Sequence, residues 1–64
     1  MVIRSTEDWE KGLRLIFSAE QPKFVVRLFK RNHQDTQVFD DFFEARDVYL
    51  DMEEDLFDLN RRKQ

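Results

Sequence analysis

The sequence predicts a small α+β domain ordered helix, strand, strand, helix, with a two-stranded antiparallel β-hairpin between the helices. Three observations predict it. Trp9, Leu13 and Ile16 recur at helical spacing; residues 23–31, KFVVRLFKR, are dense in β-branched and aromatic side chains; and apolar residues repeat every three or four positions from Asp40 to Asn60. With 64 residues, one Gly, one Pro and no Cys, the chain is expected to form one domain with short connections and no disulfide or thiolate metal site. A domain of this size buries only about 60% of the surface exposed by its unfolded form, so each large side chain counts. Apolar residues at 41%, with seven Phe, suffice for a packed core and exclude a disordered tail.

Helix one is expected from Thr6 to Ser18. Ser5 or Thr6 can cap it, Glu7 and Asp8 suit its first turn, and Val2 and Ile3 stand where a hydrophobic staple forms. Trp9, Leu13 and Ile16 then share a core face with Phe17 at its edge, and Gly12 permits close approach by a neighbour. Gln21-Pro22 ends the segment, because a residue before proline avoids helical geometry. In the strand that follows, Phe24, Val26 and Leu28 point one way and Val25, Arg27 and Phe29 the other. Asn32 to Asp35 supplies a turn, and Thr36 to Phe39 returns as a shorter strand. Asp41 followed three residues later by Glu44 has capping-box spacing and opens helix two.

Helix two carries two apolar stripes. Phe42, Ala45, Tyr49, Met52, Leu56 and Leu59, flanked by Val48, form the stripe expected to pack on the hairpin and helix one. Phe43, Leu50 and Phe57 recur every seven residues on a second side that one hairpin and one short helix do not easily cover. Leaving them in water would forgo roughly 1.5 to 3 kcal/mol each. Either helix one wraps far enough to cover them, or Phe43 and Phe57 are partly exposed, or a covering helix comes from a second copy about a two-fold axis, giving a homodimer, or from another protein.

Charge divides the chain. Residues 1–39 hold seven basic and five acidic side chains, whereas residues 40–58 hold one basic and nine acidic, for a net charge of −3 overall. Glu44, Asp47, Asp51, Glu54, Asp55 and Asp58 line one face of helix two, spaced about 4 Å apart along the axis, close to the ~3.4 Å spacing of phosphates on one DNA strand. Such a face keeps a protein soluble, and it also suits a nucleic-acid mimic of the kind phage-type inhibitors present to cationic grooves. Arg61, Arg62 and Lys63 suit the negative end of the helix dipole.

No pattern names a reaction or a cofactor. Asp51, Glu54, Asp55 and Asp58 have spacings that offer oxygen ligands, but dedicated carboxylate sites draw on several elements or on a loop with a Gly at a set position. His33 is the only histidine and stands in the expected turn; Ser5 and Ser18 have no base beside them. The first ten residues mix Arg4 with Glu7, Asp8 and Glu10 and lack an apolar run, so no signal peptide or membrane span is expected and the cytoplasm is the default. Lys23, Arg27, Lys30 and Arg31 alternate with Phe24 and Phe29, a pattern that binds single-stranded nucleic acid by stacking. A pI near 5.0 weighs against it, because such affinity rests on neutralising phosphates. The expectation is therefore a small acidic protein-binding module, a regulator or inhibitor and not an enzyme. Phe43, Leu50 and Phe57 would give its buried contacts, and Asp47, Asp51, Glu54 and Asp58 would steer association.

Overall fold

The computed structural model describes residues 1–57. Four strands precede one helix: β1 (Val2–Asp8), β2 (Leu13–Glu20), β3 (Lys23–Lys30), β4 (His33–Phe39) and α1 (Phe42–Phe57). The strands form one antiparallel sheet in the order β1-β2-β3-β4, each paired with its sequence neighbour, and α1 lies across one face.

The expected α-β-β-α order is therefore corrected at its N-terminal third. Residues expected as helix one belong to β1, a turn and β2. Two periods compete in this stretch: Trp9, Leu13 and Ile16 fit a helix, but Leu13, Leu15 and Phe17 alternate with Arg14, Ile16 and Ser18, which is the strand period. Alternation wins because Leu15 and Phe17 are buried opposite Leu28 and Val26 of β3, a pairing a helix cannot offer. Trp9, expected in the core, is 82% exposed at the turn.

That turn is built for reversal. The Asp8 carboxylate accepts the backbone N–H groups of Glu10 at 3.1 Å and Lys11 at 3.2 Å, and Gly12 donates to the Trp9 carbonyl at 3.3 Å. Gly12 has φ 67°, a left-handed conformation that a side chain disfavours. Gln21-Pro22, with a cis peptide bond, makes the second turn, and Arg31-Asn32 the third. The hairpin of β3 and β4 agrees with expectation in place, with a longer second strand and a two-residue loop.

The start of α1 also agrees. The Asp41 carboxylate accepts the Glu44 N–H at 2.9 Å, satisfying one of the donors left open at a helix start. At the other end, Lys11 Nζ donates to the Leu56 carbonyl at 3.2 Å and ties the first turn to the helix C-terminus, where a cation is favoured. Between helix and sheet lie Leu15, Phe17, Val26, Leu28, Ala45, Tyr49 and Phe57, joined at the margin by Phe24, Phe42 and Leu56. Phe17 stacks on Tyr49 at 5.7 Å, and Phe42 meets Phe17 at 5.6 Å and Phe24 edge-on at 5.7 Å. No helix among the described residues is long and apolar enough to cross a membrane.

Candidate functional site

The layer arrangement leaves three surfaces that differ in chemistry: the outer face of α1, the uncovered face of the sheet, and the seam where β1 meets the helix. Alternation assigns the side chains. Glu44, Asp47, Asp51, Glu54 and Asp55 are exposed on α1, while Ala45, Tyr49 and Glu53 face the sheet and are buried.

The second apolar stripe is divided. Phe57, 9% exposed, belongs to the core, and Leu50 packs against that core half-buried, whereas Phe43 stands 65% exposed. Four strands make a wider platform than the expected hairpin, so the chain itself covers most of the stripe. Asp47, Asp51 and Glu54 share the exposed face with Phe43 close to its edge; Asp58 lies outside the described residues, as do Leu59 and the terminal cations. The nearest cation on the helix, Arg46, reaches Asp47 at 3.5 Å.

Glu53 was not anticipated. This carboxylate is 3% exposed beneath the helix and accepts four hydrogen bonds from three side chains. Arg4 donates through Nε at 3.3 Å to Oε2 and through Nη2 at 3.1 Å to Oε1, and its guanidinium lies 5.9 Å from the Tyr49 ring centre. The Tyr49 hydroxyl donates to Oε2 from 3.1 Å, and the single proton of Thr6 Oγ1 is shared between that carboxylate oxygen and the Tyr49 oxygen, which stands 2.8 Å away. Burial pushes the Tyr49 phenol above its ordinary pKa, and the hydrogen bond with Thr6 partly offsets this. The network straps edge strand β1 to the helix and leaves no buried side-chain polar atom without a partner among the described residues. A carboxylate between Tyr49, Met52, Leu56 and Phe57 in helical projection was the available signal, since a charge on a core face demands a partner.

The uncovered sheet face gathers Arg14 and Ile16 of β2 with Lys23, Val25, Arg27 and Phe29 of β3, the last three as their alternation predicts. Its cations are paired. Arg14 meets Glu7 at 2.8 Å, Arg27 meets Glu20 at 2.5 Å, and Lys23 is bonded to Asp40. The Arg27 hydrogen bond, with a second from Ser18, holds the Glu20 carboxyl below the usual range. His33 begins β4 and contacts Asp35 at 3.0 Å. No three His, Asp or Glu side chains among the described residues gather into a metal-ligand set.

Comparison with protein-family models, curated proteins and solved structures found no match.

Proposed function

We propose that this chain is a small protein-binding module that engages a cationic surface of another protein through the outer face of α1. The supporting observation is the division of the helix. Its inner side is consumed by the core, while its outer side presents Glu44, Asp47, Asp51, Glu54 and Asp55 to solvent with Phe43 at the margin. Carboxylates accelerate encounter with a basic patch, and an exposed aromatic supplies the contact that slows departure. Their axial spacing of about 4 Å resembles that of a phosphate backbone, so a nucleic-acid-binding groove is a fitting target and inhibition by occupancy a fitting outcome. A second copy fits this face less well, because five carboxylates would meet five. The absence of Cys suits a cytoplasmic setting.

The experiment is affinity capture from a lysate of the source cells, with bound proteins identified by mass spectrometry. The baits are the wild-type chain and a variant carrying Asp47→Lys, Asp51→Lys and Glu54→Lys. A protein held by the first and lost from the second supports the proposal; identical captures remove it.

The uncovered sheet face supports a second reading, binding of single-stranded nucleic acid, because it brings Phe29 together with Arg14, Lys23 and Arg27. The ion pairs to Glu7, Glu20 and Asp40 weaken it by neutralising those cations. Filter binding with labelled DNA and RNA at two salt concentrations tests it, and no salt-sensitive retention eliminates it.

A further inference from the structure

A groove runs between β1 and α1. Phe17 forms its floor, Phe42 and Leu50 line the helix side, and its volume is about 290 Å³. Ile3 and Arg4 line the strand side together, although neighbours on a strand ordinarily face opposite ways. An irregularity in the pairing explains this: Val2 pairs with Ser18 and Arg4 with Phe17, so Ile3 is an extra residue, and such bulges re-aim side chains. Arg46 completes the rim. It is the only cation on α1, whose other charges are all acidic, and it lies on the groove side of the helix; its Nη1 is 3.5 Å from Asp47, a long contact that leaves the half-exposed guanidinium with further donors. Arg4 spends Nε and Nη2 on Glu53, while its side chain remains 55% exposed. Beside this groove β1 is, among the described residues, an edge strand, so half of its backbone N–H and C=O groups point outward with no ladder partner from those residues.

We propose that the groove and the β1 edge form a peptide-binding site. Its occupant is an extended segment of a partner protein that adds as a fifth strand on β1. It places an apolar side chain over Phe17 and Leu50 and, two positions along the same face, a carboxylate beside Arg46 and Arg4. Backbone ladder bonds supply affinity, and alternate side chains supply selection. The charge preference is opposite to that of the outer face of α1, so the two sites take different chemistry and stand or fall separately.

The test is a titration of the isotopically labelled full chain, followed by amide NMR, with the acetylated and amidated peptide Thr-Val-Thr-Ile-Thr-Glu-Thr. Two controls are the same peptide with Lys for Glu and one with N-methylated alternate residues. The expected result is saturable shifts at residues 2–8 and at Leu50, affinity at least tenfold higher for the Glu peptide than for the Lys peptide, and loss on N-methylation. Arg46→Glu is expected to invert the charge preference and Arg46→Gln to abolish it, with a dispersed spectrum showing that both variants fold. Absence of saturable shifts, equal affinity for the Glu and Lys peptides, or shifts confined to β4 would overturn the proposal. A dimer by light scattering in which the outward-facing β1 amides are protected from hydrogen exchange would overturn it as well.

Discussion

Glu53 illustrates how one residue links folding to surface chemistry. Removing one partner of a buried ion pair leaves the other charge uncompensated, while replacing both with apolar groups is close to neutral. Arg4→Met is therefore expected to cost about 2 kcal/mol, moderated by the partial exposure of Arg4, and Arg4→Met with Glu53→Met to recover most of that loss. Urea unfolding of four proteins, the wild type, both single variants including Glu53→Met, and the double variant, checks it, and additive losses would show that the pair is not coupled. Tyr49 adds a pH dependence. Its folded pKa is raised, so its proton is retained longer in the native chain than in the unfolded one. The stability this contributes is complete below the unfolded value near 10 and lost as pH rises through the raised folded value. Stability curves across the alkaline range should show a decline in the wild type that is smaller in Tyr49→Phe.

Among the elements, α1 and the β3–β4 hairpin were legible because their signals are local: an Asp cap, a three-and-four spacing, and a dense run of β-branched and aromatic residues. The β1–β2 hairpin was not, because strand pairing is non-local and Trp9, Leu13 and Ile16 happen to satisfy the helical period. Gly12 marks the difference, standing in a turn where close approach within a helix had been expected. A Cβ there would lie 2.5 Å from Arg31 Nε and 2.7 Å from Arg31 Cγ, in a left-handed conformation. Gly12→Ala is expected to destabilise by about 1 kcal/mol or more, read from the denaturant midpoint; a helix at this position would make the same change stabilising. The heptad of Phe43, Leu50 and Phe57 gives the matching test on α1. Phe57→Ala is expected to cost about 3 kcal/mol and Phe43→Ala less than about 0.5 kcal/mol, whereas an evenly exposed stripe would give equal small losses.

At the scale of the molecule, the charge asymmetry read along the chain becomes a difference between two faces. The acidic surface was legible because helical projection needs only the spacing of Asp47, Asp51 and Glu54, and those side chains are exposed as projected. The groove at β1 was not legible, since it depends on a bulge and on which strand lies at the edge. Whether the outer face of α1 meets another protein is read by photo-crosslinking in the source cells. A photoreactive phenylalanine analogue is placed at Asp51 in one variant and at Thr36, exposed on the uncovered sheet face, in another. The expected result is an adduct with a different protein from position 51 and none from position 36. Adducts from position 36 alone, or only with a second copy of this chain, would contradict it.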